Sequence, residues 1–429
     1  MNYPFWEVPI LGGSLVIAII AIVHVFISHF AVGTGFFLPL TEQKAYREGD
    51  SALLAYLKKH SRFFVLVSLV GGAITGVGIW FSIALVSPQA TSILIRNFVW
   101  GWAIEWVFFI GEITSALLYV YTWEKVSRQT HVILGYVYGA TAWLSLVIIN
   151  GIITFMLTPG RWLETGGFWD GFFNPTYFPS LVMRTAVSFA LAGLYALITA
   201  SFQPGELKPK LVKLAASYIF PAGLVVPLAG LWYAAMLPPQ LRHLVTGGAP
   251  VQTNLFVGSL VVAVLLFVYV YFVIYRRPQS LNLASALLAL VLAFAPIGGL
   301  EFIREMIRKP YVITGYLYSY QIFTDRADEL KATGLLASAR WKTSRAVGAA
   351  ATEDPAAGAD LYRLQCASCH TIDGYNALRP LVRGWDLDTG RMYLEHLDQV
   401  NAMMPPFLGT EVERDILAGW LVQLNKEGR

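Results

Sequence analysis

The chain has 429 residues, of which 56% are hydrophobic and only 14% are charged, and its mean hydropathy is +0.56. A soluble domain averages about 25% charged residues, so this composition excludes a disordered chain and argues against an ordinary soluble enzyme. The net charge of +4 is uneven, since residues 353–429 carry seven Lys/Arg against twelve Asp/Glu, a net charge of −5, and the remainder carries +9. We therefore predict a basic membrane part followed by a small acidic part.

Eight apolar stretches are long enough to cross a membrane, which takes about 20 residues. Lys and Arg are concentrated in alternate loops, with twelve in the loops after the first, third, fifth and seventh stretches and three in the loops between them. Because positive residues accumulate on the cytoplasmic side, we expect both termini on the periplasmic side of a bacterial cytoplasmic (inner) membrane. No Lys or Arg precedes the first stretch, so no cleaved signal peptide is expected. The stretches are 12–40, 63–87, 97–121, 132–157, 179–202, 214–237, 252–275 and 281–303.

Ionisable residues inside such stretches are costly and therefore suggest function. A neutral imidazole can ligate a haem iron, and a buried carboxylate can bind iron, compensate its charge or carry protons. Glu105 and Glu112 share one helix face, about 10 Å apart along the axis, whereas His24 and His29 point about 140° apart. The simpler alternatives are hydrogen-bonded core histidines and glutamates that pair helices.

Three further features near the ends of the stretches have simple interpretations. Glu305 and Arg308 could form an ion pair at the membrane boundary. His60 and His131 fall at the cytoplasmic ends of helices, where we expect solvated or dipole-stabilising roles rather than ligation.

The segment Cys366-Ala-Ser-Cys369-His370 is typical of a c-type haem attachment site, in which the thiols add to the haem vinyl groups and the histidine is an axial ligand. A zinc site would need four ligands, and no second Cys/His pair is nearby. The second haem ligand should be a thioether. Met404, before Pro405-Pro406-Phe407, lies in a segment that resembles the MPPF stretch of small class I cytochromes c and is preferred; Met403 comes next, followed by Met392 and His396.

Helices are expected at 356–366 and 411–425, with a short flexible linker at 346–358. The predicted organisation is a membrane haem domain at 1–318, a connecting segment at 319–352 and a periplasmic cytochrome c domain at 353–429. The fold class is all-α: a polytopic membrane helical bundle with a small all-α cytochrome c domain.

Several segments share a pattern with one family of membrane proteins: His24 to Glu42 with Gly33 in register, ITGVGIWF, FVWGWAIEWVFFIGEI, WEKVSRQTH ending at His131, Asn150-Gly151, and Glu305-Met-Ile-Arg308-Lys-Pro310-Tyr311, which is similar to ExGRQPW. Through them, residues 15–160 and 295–318 resemble subunit I of cytochrome bd quinol oxidases. The resemblance implies that His24 ligates a high-spin haem b, and that Glu105 or Glu112 serves a second haem iron while the other assists the haem pair and its proton supply. It also implies that Glu305 lies near the high-spin haem b. The family separates its two glutamates by eight residues, whereas Glu105 and Glu112 are seven residues apart. Phe108-Phe109 aligns with the family together with Glu112, so Glu112 is the firmer of the two assignments.

Two departures from the family argue for a different electron route. Arg184 and Phe256 align with the histidine and methionine that ligate the family's low-spin haem b, so this haem is expected to be absent. The loop where the family oxidises quinol is only about 14 residues here, 238–251, and contains His243. Haem c offers a replacement route for electrons.

The sequence therefore predicts a membrane-bound respiratory multihaem cytochrome, a cytochrome bd-like terminal oxygen reductase. Electrons from a periplasmic donor would pass through one covalent haem c to membrane haems that reduce a small ligand, foremost O2. One or two non-covalent haems are expected: haem b alone, or haem b together with haem d or a second haem b. His29 and Arg308 are expected as further cofactor contacts. The alternatives are a non-catalytic electron-transfer subunit of a larger respiratory complex and a nitric oxide reductase-like activity. We expect inner-membrane lipids and a second membrane subunit or larger complex as partners, and no nucleic acid.

Overall fold

The computed structural model describes residues 6–427, and almost all of its regular structure is helical. Eight helical stretches are long and apolar enough to cross a membrane, which confirms the predicted number and the all-α class. They are Gly13–Glu48, Ser51–Val86, Val99–Tyr121, Arg128–Phe155, Tyr177–Ser201, Leu207–Met236, Pro250–Tyr275 and Leu283–Met306.

Several of these stretches consist of two or more consecutive helical segments. The first part of the chain contains α1 Gly13–Glu48, α2 Ser51–Val65, a π-helix Leu66–Gly71, α3 Gly72–Val86, α4 Pro88–Asn97, α5 Val99–Tyr121, α6 Arg128–Phe155, α7 Trp162–Thr165, α8 Phe168–Phe172 and α9 Tyr177–Ser201. The next part contains α10 Leu207–Ile219, α11 Ala222–Met236, α12 Pro239–His243, a π-helix Leu244–Gly248, α13 Pro250–Tyr269, a π-helix Val270–Tyr275, a 3-10 helix Pro278–Ser280 and α14 Leu283–Met306.

The remainder begins with a small hairpin that the sequence did not predict, in which Tyr311 pairs with Tyr318 and Ile313 with Leu317. The helices that follow are short, except for α17 and α20. The elements are β1 Tyr311–Ile313, β2 Leu317–Tyr318, a 3-10 helix Thr324–Arg326, α15 Ala327–Thr333, α16 Leu335–Ser338, a 3-10 helix Gly348–Glu353, α17 Pro355–Gln365, α18 Leu387–Glu395, α19 Leu397–Val400 and α20 Glu411–Glu427.

The second membrane stretch begins twelve residues before the position predicted from hydropathy, at Ser51 instead of residue 63. The carboxylate of Asp50 caps α2 by accepting a hydrogen bond from the Leu53 backbone N–H at 2.8 Å. Buried side chains then recur every three or four residues, as in an amphipathic helix, so hydropathy alone detects only the apolar second half. They are Leu53, Tyr56, Leu57, His60, Ser61 and Phe64.

The chain divides into two compact units, and the larger comprises Ala21–Val77 with Phe98–Arg304. Its helices approach closely because glycines remove side chains from the contacts. A Cβ atom on Gly33 would lie 1.9 Å from the Ser188 carbonyl oxygen, and one on Gly139 would lie 2.5 Å from the Gly35 carbonyl oxygen. These positions therefore bring α1 against α9 and α6 and leave little room for substitution.

The other unit comprises Met1–Ile20, Gly78–Asn97 and Glu305–Arg429. Its hydrophobic core includes residues of the predicted connecting segment as well as residues after 353. The expected flexible linker at 346–358 is wrong: Ala351 is fully buried within a 3-10 helix, and the Asp354 carboxylate accepts hydrogen bonds from the Ser344 hydroxyl and the Ala356 N–H. Buried members of this core include Tyr320, Ile322, Leu330, Leu336, Leu361, Leu364, Leu417 and Leu421.

A buried carboxylate joins α20 to the connecting segment. Glu413 is 2% exposed and accepts hydrogen bonds from the backbone N–H groups of Leu335 at 2.9 Å, Leu336 at 2.7 Å and Thr410 at 3.0 Å. We expect Glu413→Ala to lower the free energy of unfolding of this unit by about 2–4 kcal/mol, because it leaves three N–H groups without their charged acceptor.

Pulse proteolysis of the purified full-length protein in a urea series measures this change. The readout is the urea concentration at which half of the region 305–429 has been degraded. Glu411→Ala is the matched control, because Glu411 is exposed on the same helix. Equal midpoints for Glu413→Ala and Glu411→Ala would contradict a stabilising role for the Glu413 contacts.

Candidate functional site

His24 is oriented by the threonine of the ITGVGIWF segment. Its Nδ1 lies 3.0 Å from the Thr75 hydroxyl, which donates its own proton to the Gly71 carbonyl at 2.7 Å. The hydroxyl can therefore only accept from His24, so Nδ1 carries the imidazole proton and Nε2 keeps a lone pair. Gly76 borders the ring, since a Cβ atom there would lie 3.3 Å from His24 Cε1. This arrangement is suited to metal ligation through Nε2.

His29 lies on a different face of α1 and is 4% exposed. Its Nδ1 lies 2.8 Å from the Val25 carbonyl oxygen, an acceptor, so this nitrogen is protonated. This hydrogen bond is the one expected of a polar core residue, and ligation by His29 stays a prediction.

The two glutamates of α5 both face α6. Glu105 accepts a hydrogen bond from the Ser145 hydroxyl at 3.0 Å, and Oε1 of Glu112 lies 3.3 Å from the Tyr138 hydroxyl. Ser145 and Tyr138 are also seven residues apart, so two antiparallel helices match their polar positions. The shared face follows from the spacing, but the hydroxyl partners could not be read from the sequence.

Arg184, at the position aligned with a family haem ligand, takes part in a network of buried ion pairs. Its guanidinium lies 2.6 Å from Oε1 of Glu301 and donates to the Ser180 hydroxyl at 3.2 Å, and Arg184 is 5% exposed. Oε2 of Glu301 accepts from Arg304 at 2.9 Å. The network connects α9 to α14 through residues more than 100 positions apart, which is why the sequence alone does not reveal it.

Of the two roles expected for His60 and His131, solvated or dipole-stabilising, the solvated one is wrong. His60 is fully buried and its Nδ1 lies 2.8 Å from the Thr199 hydroxyl. His131 is 2% exposed, with both ring nitrogens hydrogen-bonded. Position near a helix end did not predict burial, because helices from distant parts of the chain cover both side chains.

In the other unit, α17 leads directly into the Cys366–His370 segment. His370 Nδ1 lies 2.9 Å from the Asn376 carbonyl oxygen, so its proton is on Nδ1 and Nε2 keeps a lone pair. Burial lowers the pKa of His370, which favours the neutral, ligating form. Burial also raises the pKa of Cys366 to about 12. At Cys369 burial acts in the same direction, but the Lys309 ammonium and neighbouring hydroxyls bring the pKa below its usual value.

The N-terminal segment packs against this cysteine segment. The Ser14 hydroxyl donates to the Ser368 carbonyl, between the two cysteines, at 2.7 Å. The Tyr375 N–H donates to the Ile10 carbonyl at 2.7 Å. The first turn of α1 is therefore held against the CxxCH loop.

Met403 and Met404 lie in one turn held by Asn401. The Asn401 carboxamide oxygen accepts from the Met403 N–H at 3.0 Å, and its carbonyl oxygen accepts from the Met404 N–H at 2.8 Å. Among residues 6–427 no group of three or more His, Cys, Asp or Glu is arranged to hold a metal ion.

We expect Met404→Ala to lower the reduction potential of the predicted covalent haem c by more than about 100 mV, since axial ligands control a range of roughly 0.8 V. Met403→Ala is the control and should leave the potential near the wild-type value. A spectroscopic redox titration decides between them, and the opposite ranking of the two variants would identify Met403 as the ligand.

The segment after α14 adjoins the cysteines. Arg308 is 7% exposed and forms an ion pair with Glu305. The Lys309 ammonium lowers the pKa of the Cys369 thiol, and the Ser319 hydroxyl lies 3.7 Å from the Cys369 sulfur. Three of the predicted site residues, Glu305, Arg308 and Cys369, therefore belong to one continuous region of this unit.

Comparisons with known proteins agree with this architecture. A model of the family described as cytochrome bd terminal oxidase subunit I matches residues 14–240, more than half of the chain. A solved structure, the bd oxidase from Geobacillus thermodenitrificans, is similar in fold with a TM-score of 0.62 and 16% identity, and the match covers 72% of this chain and 89% of that one. No curated protein matches the chain. The protein is a multi-span helical membrane protein, and the chain belongs to the cytochrome bd terminal oxidase subunit I family.

Proposed function

We propose that this protein is a respiratory terminal reductase in which a covalent haem c passes electrons from a periplasmic donor to membrane haems that reduce O2. The observation that carries the proposal is the presence of two oriented histidines, His24 and His370, each with Nδ1 hydrogen-bonded and Nε2 left with a lone pair. When bound, the haems would supply one-electron transfer and an iron that can take a small ligand. The chain belongs to the same family as subunit I of the cytochrome bd terminal oxidases.

The donor set at the C-terminal site suits haem c. Cys366 and Cys369 are free thiols on either side of the short Ala-Ser spacer, and His370 follows them directly. Met404 lies in a turn fixed by Asn401, and the loop after it is also held, because the Tyr320 hydroxyl donates to the Pro406 carbonyl at 2.9 Å. We propose that residues 353–429 form the cytochrome c domain, with 319–352 completing its core, on the periplasmic side.

The donor set in the membrane unit suits a non-covalent haem b. His24 offers Nε2, Thr75 fixes its ring, and Gly76 leaves room beside it. We propose that Glu105 and Glu112 hold and release protons for the reduction of O2, with Ser145 and Tyr138 as their hydrogen-bonding partners. A second haem, of type b or d, would use one of these carboxylates near its iron.

We propose that Arg184 compensates charge where the family's low-spin haem b has its histidine ligand. Its guanidinium is already engaged by Glu301 and Ser180, and arginine does not lose its proton in proteins. Electrons would then enter through the Cys369 region, where Lys309 and the Glu305–Arg308 pair adjoin the haem c attachment segment.

Oxygen consumption by the purified protein in proteoliposomes, with ascorbate and a reduced c-type cytochrome as donor, tests this function. Wild type should consume O2 in a cyanide-sensitive way, and Glu112→Gln should lower the rate by about a hundredfold, the usual scale for a lost proton-transfer group. Glu164→Gln, at an exposed residue, is the matched control. Full activity of Glu112→Gln would exclude the proton role, and no cyanide-sensitive consumption by wild type would exclude the oxidase function.

A further inference from the structure

A second cluster of titratable side chains is buried in the membrane unit, apart from the two glutamates of α5. Glu42 of α1 is fully buried, and His131 of α6 and Tyr119 of α5 are each 2% exposed. Oε1 of Glu42 lies 2.8 Å from His131 Nδ1, and Oε2 accepts from the Tyr119 hydroxyl at 2.8 Å. The other ring nitrogen of His131, Nε2, lies 2.8 Å from the Tyr119 carbonyl oxygen.

These contacts fix the number of protons. A backbone carbonyl only accepts, so Nε2 of His131 carries a proton. The 2.8 Å contact between Nδ1 and Oε1 then requires one more proton, which resides on the imidazole as an ion pair or on the carboxyl group as a neutral pair. Glu42 and His131 therefore share one transferable proton in a site shielded from water.

The cluster has a connection to the surface. Tyr46 lies four residues after Glu42, about one turn further along the same face of α1. The guanidinium of Arg128, an exposed residue, lies 5.1 Å from the centre of the Tyr46 ring. Trp123 covers the opposite side, with its ring centre 4.3 Å from that of His131. Tyr46 is thus the polar group between Glu42 and the exposed end of α6.

Polar groups also continue along α1 toward Glu112. The Tyr138 hydroxyl lies 2.9 Å from the Ala31 carbonyl oxygen and 3.3 Å from Oε1 of Glu112. Ala31 is eleven residues before Glu42, about 16 Å along a helix. Between them the hydroxyl of Thr34 is fully buried and has no hydrogen-bond partner among the described residues, an environment that a bridging water can satisfy.

We propose that the Glu42–His131 pair is a proton-loading site that takes up a proton through Tyr46 and releases it along α1 toward Tyr138 and Glu112. In each cycle the proton held between Nδ1 and Oε1 leaves toward Glu112, and a proton from the cytoplasmic side replaces it. Tyr119 is a positioning residue that holds the second carboxylate oxygen. The inference rests on the proposed function for the use of the proton, but the existence of the shared proton does not depend on it.

Redox-induced infrared difference spectroscopy of the purified full-length protein, in H2O and D2O, tests the pair directly. Reduction of wild type should produce a deuterium-sensitive carboxyl band change that is absent in Glu42→Gln and retained in Glu48→Gln. Glu48 is the matched control, since it is an exposed glutamate on the same helix that pairs with Lys210. Tyr119→Phe, which keeps the ring, should shift the band without abolishing it and serves as the second variant if Glu42→Gln does not fold.

Proton uptake by proteoliposomes during turnover provides the second readout. Glu42→Gln should slow uptake by about tenfold or more, whereas reduction of the covalent haem by the donor should keep its wild-type rate. The inference is overturned if the wild-type carboxyl band is unchanged by reduction, or if Glu42→Gln takes up protons at the wild-type rate. If wild type does not reduce O2, the proposed function fails, and the infrared result alone decides the proton-loading site.

Discussion

Replacing His24 by alanine is expected to remove from the membrane unit the haem b that we assign to this residue and to leave the covalent haem at its full content. The imidazole is the side chain whose Nε2 is presented for ligation, and the ring is held by Thr75. Without an axial ligand the loss should be nearly complete. Pyridine haemochrome quantitation measures it, because the b-type and c-type products are resolved. Because this haem is lost, the rate of O2 reduction should fall below detection.

Two related variants make the result specific. Thr75→Val preserves the shape of the side chain but removes the hydrogen bond to Nδ1. We expect it to lower the affinity for haem b or the rate of O2 reduction by about 10–100-fold, the usual effect of removing an outer hydrogen bond to a ligating histidine. His29→Ala should keep the haem if His29 is a polar core residue bonded to Val25. Full retention of haem b in His24→Ala, with loss in His29→Ala, would assign the ligand to His29 instead.

Replacing Cys366 and Cys369 together by alanine is expected to abolish covalent haem attachment. Turnover with a reduced cytochrome donor should then stop, because electrons lose their proposed point of arrival. Chemical reduction of the membrane haems by dithionite should still proceed. The measurement is a haem stain of the denatured protein together with donor-driven O2 consumption.

Ser368→Ala is the control, since it removes a hydroxyl that donates to the Cys369 sulfur at 3.6 Å and changes the same segment without removing a thiol. It should retain both the stain and the activity. Donor-driven O2 consumption at the wild-type rate in the double cysteine variant would contradict the proposed electron route.

Much of the fold could be predicted from the sequence because membrane spans depend on composition over about 20 residues. All eight stretches were found in this way. The extension of α2 to Ser51 was missed, because it depends on the Asp50 cap and on a pattern of buried residues. The β1–β2 hairpin and the ordered segment around Ala351 were missed because tertiary contacts stabilise them.

The candidate site was predictable in its residue types and not in its pairings. Placing an ionisable side chain in an apolar membrane helix costs free energy, so such residues are rare and suggest function. His24, Glu105 and Glu112 could therefore be selected from the sequence directly. Their partners Thr75, Ser145 and Tyr138 are ordinary polar residues on other helices, and no local pattern marks them. The Arg184–Glu301 pair and the burial of His131 likewise depend on contacts between distant segments.

Whether membrane haems with an open iron are present is tested most directly by an optical spectrum of the purified protein, first reduced and then reduced with CO, together with pyridine haemochrome quantitation. We predict one c-type haem, at least one non-covalent haem, and a high-spin band that shifts on addition of CO because an iron has an open coordination position. Low-spin haems alone, insensitive to CO, would contradict the reductase function and leave an electron-transfer subunit. A protein with no haem beyond the covalent one would contradict the roles assigned to His24 and the glutamates.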